Sequence, residues 1–183
     1  TKMEGLFDFA QDLGAALSWL LPFLCYVGGG CFLLSGVMGI FQRSSISNGL
    51  LSKGVVPEMM ILVGATFLSF PEFLNMGNRT LGFEGNAGIG ASSKVSFSSD
   101  ALMTAAQGGP LAALTAILNV FHVYFAAYGA LIVYFAIVRQ MGRAKGANNS
   151  STGLNMVMGI AGFLVMNADV LGPALLKELK LVQ

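Results

Sequence analysis

Hydrophobic positions fall into four long runs separated by polar stretches. The first lies between Leu13 and Gln42, contains no charged residue, and includes LSWLLPFLCYVGGGCFLLSGVMGIF. It is long enough to cross a hydrocarbon core of about 30 Å as one helix. Pro22 is expected to kink that helix or mark its effective start. A polar stretch, RSSISNGLLSK from Arg43 to Lys53, follows. Pro57 and Glu58 then suit a first helical turn, where a missing N–H costs nothing and an acid meets the dipole. The second run, VVPEMMILVGATFLSF, ends at Pro71 and Glu72. The segment from Asn75 to Gly109 is the least apolar and is rich in Gly, Ser and Asn. It is expected to be a loop, with a short strand or hairpin at the Val95–Phe97 alternation. The third run extends from Pro110 to Val138 and leads into RQMGRAKGANNSST. The fourth, GLNMVMGIAGFLVMN, continues through Leu171 and is expected to close at Gly172–Pro173. The tail ALLKELKLVQ reads as a short amphipathic end suited to an interface.

This pattern predicts an all-α membrane protein: four transmembrane helices arranged as two tandem hairpins, 1–75 and 110–183, joined by an extracytoplasmic Gly/Ser-rich loop, 76–109. The halves also come into register at an ungapped offset of 96, which sets Arg43 on Arg139, Met60 on Met156, Ala65 on Ala161 and Phe67 on Phe163. With two spans per unit, such a repeat is expected to be parallel.

Composition supports lipid as the solvent. The chain is 55% apolar and 10% charged, with a mean hydropathy of +0.71, whereas soluble domains carry roughly 25% charged residues. The net charge of +1 argues against a nucleic-acid binder held by phosphate contacts. Glu4, Asp8 and Asp12 are the wrong charge for a signal-peptide start, so the first run is expected to be retained. The tight loops, 43–58 and 139–152, hold Arg43, Lys53, Arg139, Arg143 and Lys145 against Glu58, a net +4, while the rest of the chain nets −3. That density of Lys and Arg in short loops favours a cytoplasmic side for them, with both termini and the 76–109 loop extracytoplasmic.

Candidate chemistry is sparse. Cys25 and Cys31 sit on different faces of one helix and read as packing residues. His122 lies within the third run; an ionisable group there invites a relay or substrate role, but no carboxylate is expected at its depth, and a neutral histidine bonded to Asn119 or a neighbouring helix fits better. No His/Cys set has metal-ligand spacing, no catalytic constellation emerges, and the chain reads as a non-enzyme without a cofactor. Gly28, Gly29, Gly30, Gly36 and Gly39 allow close helix approach in lipid; Ala126, Ala127, Gly129 and Ala130 do the same in the second half. Asn78-Arg79-Thr80 matches a glycosylation sequon. The basic loops suit either topology or anionic headgroups.

A long small-residue helix, a short basic loop and a second apolar helix together resemble the pilins and pilin-like membrane subunits of conjugative type IV secretion systems. The size and Gly-rich first helix also look like the small IcmC/DotE/TraQ group of type IVB systems. The resemblance covers roughly residues 13–75 and 110–172 and rests on pattern, with two hairpins where family pilins usually have one. It implies a structural subunit, extending to a pilus subunit that polymerises into a helical filament with bound phospholipid. Membrane lipid, further copies and other secretion-system subunits would be its partners, and DNA would pass only transiently. Arg43, Lys53, Arg139, Arg143 and Lys145 would then face lipid or lumen and neutralise phosphates. The alternative from the residues themselves is a small four-helix membrane transporter or channel.

Overall fold

The computed structural model describes residues 2–45, 57–83, 103–105 and 107–179. All regular structure among them is helical. Helix α1 runs Lys2–Ser45, α2 Pro57–Leu68, α3 Phe70–Thr80, α4 Pro110–Val120, α5 His122–Ala144, α6 Thr152–Met166 and α7 Ala168–Glu178. Lys53, the Val95–Phe97 alternation and most of the expected loop lie outside the described residues.

Local sequence accounts for the boundaries. Pro57 opens α2 and Pro110 opens α4, each where its missing N–H is an orphan anyway. Two helices stop on glycine. Gly82 and Gly146 adopt positive φ, 84° and 71°, which a side chain resists. At the end of α5 the Gly146 N–H donates to the Arg143 carbonyl and the Ala147 N–H to that of Gly142. At the end of α3 the Gly82 and Phe83 N–H groups donate to Arg79 and Asn78. Both are Schellman closures that satisfy otherwise orphaned carbonyls.

Two helices, Phe7–Phe41 within α1 and α5, are long and apolar enough to cross a membrane. The count rises to four if each of two bent pairs forms one span: α2 with α3, bent by 90°, and α6 with α7, bent by 87°. The apolar character of the chain is that of a membrane protein, and its exposed large side chains follow suit: Trp19, Leu34 and Phe41 on α1, Met156 and Val157 on α6.

Four expectations change. The third run is two helices rather than one, divided at Phe121, whose ring packs 5.2 Å from Phe7 and 6.2 Å from Phe125. The fourth run breaks at Asn167, and Gly172 and Pro173 lie inside α7. The Asn167 side-chain amide donates to the Phe163 carbonyl at 2.8 Å and to Asn78 Oδ1 at 3.0 Å, a side-chain competition that favours a bend over helix continuation. Finally, α1 begins at Lys2 and continues through Pro22, and α3 carries helix to Thr80, past the expected loop start.

The core lies where α1, α2, α3 and α5 meet. Leu21, Cys25, Phe67, Phe70, Leu74 and Tyr134 are buried there. The Tyr134 ring stacks on Phe67 at 4.8 Å and meets Phe70 edge-on at 6.2 Å, and its hydroxyl donates to the Leu24 carbonyl at 3.3 Å. The aromatic contacts suit offset and T-shaped packing, and the phenol finds an acceptor inside apolar surroundings.

The halves are related at the level of packing. A methyl on Gly64 would lie 2.9 Å from the Gly29 carbonyl and 2.9 Å from the Leu33 nitrogen; on Gly162 it would lie 2.8 Å from Gly129 and 3.0 Å from Val133. Gly29 is likewise closed by Leu68, and Gly129 by Met166. Thus 29, 33, 64 and 68 correspond to 129, 133, 162 and 166. The register is 100 in the first helix of each pair and 98 in the second, not the uniform 96 read from the sequence. Even the bends correspond, Ser69 with Asn167. Arg43 accordingly corresponds to Arg143 rather than Arg139. In both halves the helices cross antiparallel where glycine brings backbones together.

Between the halves, α1 and α5 run parallel. Phe7 meets Phe121, Gly14 meets Tyr124, Leu24 meets Tyr134 and Phe32 meets Lys145. Gly14 and Leu24 face positions 110 residues onward, while their repeat equivalents are 100 onward. The second half is therefore slid along α1 by ten residues, about 15 Å at 1.5 Å per residue.

Candidate functional site

Polar groups gather at the two ends of α5. At its C-terminal end, the turn to α6 is tied by side chains. Arg143 Nη1 donates to the Ser150 carbonyl at 2.7 Å, and Asn148 Nδ2 donates to the Arg139 carbonyl at 3.2 Å. Asn148 Oδ1 accepts from the Ser150 backbone N–H at 3.2 Å and from its hydroxyl at 2.7 Å. Because the Ser150 hydroxyl proton is committed there, its oxygen accepts from Asn155 Nδ2 at 3.0 Å, and that amide also donates to Gln140 Oε1 at 2.9 Å. Asn155 Oδ1 is left buried without a hydrogen-bond partner, a cost on the order of 1–3 kcal/mol.

The three cations have different situations. Lys145 lies 5.0 Å over the Phe32 ring of α1, a cation–π contact. Arg143 is exposed and holds the turn; Arg139 is exposed on the same end of the helix. An anionic oxygen arriving there would meet the Arg139 guanidinium and the remaining N–H groups of Arg143, which suit phosphate geometry. Arg43 falls in the last turn of α1. The structure therefore brings Arg139, Arg143 and Lys145 to one end.

At the other end, α7 folds back across the start of α5. His122 Nδ1 stands 2.9 Å from Asp169 Oδ2, with side chains 42% and 17% exposed. No directed hydrogen bond reaches that nitrogen, so the contact is close but poorly aligned, an ion pair whenever the imidazole is protonated. This corrects the expectation that no carboxylate lies at the depth of His122. That expectation treated the third and fourth runs as straight. With His122 opening α5 and a bend at Asn167, Asp169 in the first turn of α7 comes into contact. Asn78, at 1% exposure, is committed to the same region through Asn167, which removes it as an accessible sequon.

The glycines divide as well. Gly28 faces Tyr134, Gly36 faces Pro57 and Ile61, and Gly29 and Gly129 sit at the two crossings. Gly39 is buried. Gly30 has open space at its Cβ position, so no other helix of the same chain packs on it. Cys25 is buried and Cys31 exposed, both as free thiols. An apolar groove of about 290 Å³ between α2, α5 and α6 is lined by Met59, Val63, Val133, Ala136, Gly159 and Phe163 among others. Among the described residues no three His, Cys, Asp or Glu side chains are grouped to hold a metal ion. No family model, curated protein or solved structure matches the chain.

Proposed function

We propose that the chain is a structural membrane subunit of a conjugation or type IV secretion apparatus, built as two tandem hairpins whose apolar runs lie in the bacterial inner membrane. The observation that carries this reading is the distribution of polar and apolar surface. Large apolar side chains remain exposed along α1 and α6, while polar networks are confined to helix ends. Surface of that kind suits lipid or neighbouring subunits. The small-residue crossings at Gly29–Gly64 and Gly129–Gly162 supply the close helix approach that packing in lipid uses. The exposed Arg139 and Arg143 fit the headgroup of an anionic phospholipid, the bound lipid this reading includes.

A second reading, a small four-helix transporter or channel, draws on the His122–Asp169 pair, because paired ionisable groups within a membrane bundle serve proton relays. One assay separates the two. Deleting the gene in a donor cell is expected to abolish DNA transfer, and both the wild type and His122→Gln are expected to restore it. Transfer that survives deletion would sink the structural-subunit reading. Restoration by wild type but not by stably inserted His122→Gln would favour transport.

A further inference from the structure

The two halves touch through unlike surfaces. On α1 the contact uses Gly14, Leu24 and Gly28; on α5 it uses Tyr124 and Tyr134. Under the repeat register of 100, Gly28 corresponds to Tyr128 of α5, and Tyr134 corresponds to Leu34 of α1. A closed, self-complementary contact would reciprocate Leu24–Tyr134 with Leu34–Tyr124. Leu34 is instead 67% exposed and Tyr128 43% exposed, so the contact is heterologous. Heterologous contacts leave one copy of each face unused and can repeat indefinitely when the operation does not close. A slide of about 15 Å along the helix axis between the halves prevents closure by rotation alone.

The unused faces are apolar. On α1, Val27, Leu34 and Met38 are all exposed. Leu34 lies level with Ala144, the last residue of α5, and Met38 projects past it. We propose that a second copy of this chain docks head to tail on the first, its α1 standing to α5 of the first copy as α5 stands to α1 within one chain. Leu34 and Met38 of each added copy lie beside Tyr128 of the copy before it. This proposal rests on the assembly-subunit reading and assigns its interface. The second copy covers the projecting apolar strip, which neither water nor a bilayer centred on the second half would cover well.

Cross-linking in native membranes tests the contact. In a Cys25→Ala, Cys31→Ala background, Leu34→Cys and Tyr128→Cys are introduced singly and together, and membranes are treated with a short bismaleimide. The two positions cannot be bridged within one chain. Leu34 is level with residue 144, so Tyr128 lies sixteen residues away along the axis, about 24 Å. The double variant is expected to give a ladder of dimers, trimers and higher multimers, at least tenfold above either single variant. The Met38→Cys, Tyr128→Cys pair is expected to give the same ladder and guards against one disruptive substitution. Dimers from a single-cysteine variant at the level of the double would overturn the proposal, because they report a self-complementary contact. Absence of a ladder from both pairs overturns it too, and native mass in mild detergent then separates the outcomes. An oligomeric mass leaves the assembly reading standing with a different interface; a monomeric mass removes both.

Discussion

Glycine positions show how far a residue type can be read without its neighbours. In the sequence, Gly28, Gly29 and Gly30 are equivalent, three small residues in an apolar helix. In the fold Gly29 lies against Gly64 and Leu68, while Gly30 faces open space. At the matching crossing, a Cβ on Gly129 would sit 2.5 Å from the Gly162 carbonyl and 2.6 Å from the Met166 nitrogen, both backbone atoms that cannot rotate aside. Gly129→Ala is therefore expected to lose about 1–3 kcal/mol through overpacking, seen as an earlier loss of helical signal on heating in detergent. Gly30→Ala is expected to be neutral or to gain about 0.5–1 kcal/mol from reduced unfolded-chain freedom. Equal destabilisation by the two substitutions would refute the crossing geometry. His122 gives the complementary lesson. Its ionisable character was legible, but its Asp169 partner depends on a bend that hydropathy does not encode, because both sides of the bend are apolar.

Elements were legible where composition changes and illegible where it does not. The starts at Pro57 and Pro110 and the basic turn after Val138 follow from residue chemistry. The bend at Asn167 falls inside an apolar run that continues to Leu171, so a single helix was the natural expectation there. The bend at Ser69, in contrast, nearly coincides with the expected end of the second run at Pro71, and the unexpected feature is that helix resumes beyond it as α3. Asn167 carried the only local hint, an amide able to compete for backbone groups. The turn between α5 and α6 illustrates how an element can give one of several like charges a distinct task. Arg139 and Arg143 are both exposed, but it is the Arg143 guanidinium that donates across the turn, to the Ser150 carbonyl at 2.7 Å. Trypsin cleavage after Lys145 in detergent is expected to accelerate several-fold in Arg143→Gln, since losing a charged hydrogen bond costs about 1.5–3 kcal/mol and frees the turn to open. Arg139→Gln should leave that rate near wild type. Matching acceleration in both variants would mean that the turn senses charge rather than this bond.

At the scale of the whole molecule, the duplication was visible in the sequence but its register was not. Apolar helices align at many offsets, and only the glycine crossings fix 100 and 98. The slide of ten residues between the halves was invisible, because it depends on which tyrosine reaches which turn of α1. It has a consequence for membrane placement. Arg139 and Arg143 lie level with residues 29 and 33 of α1, near the middle of the uncharged stretch from Leu13 to Gln42. A flat bilayer centred on that stretch would hold two arginines near mid-depth, at roughly 2.5–3.5 kcal/mol each on an insertion scale. Levelling the halves would avoid that cost but would break the Leu24–Tyr134 and Gly14–Tyr124 contacts. Two distances decide between the arrangements in reconstituted bilayers. Exposed Cys31 serves as one label site in a Cys25→Ala background, with Arg143→Cys or Tyr128→Cys as the second. In the staggered fold Cys31 is level with residue 141, so the axial offset is about 3 Å to position 143 and about 20 Å to position 128. In a levelled arrangement Cys31 would be level with residue 131, and the offsets become about 18 Å and about 5 Å. Spin-label distances are thus expected to be shorter for Cys31 with Arg143→Cys than with Tyr128→Cys. The reverse order would show that the halves slide into level when lipid surrounds them, and the head-to-tail contact built on the stagger would fall with it.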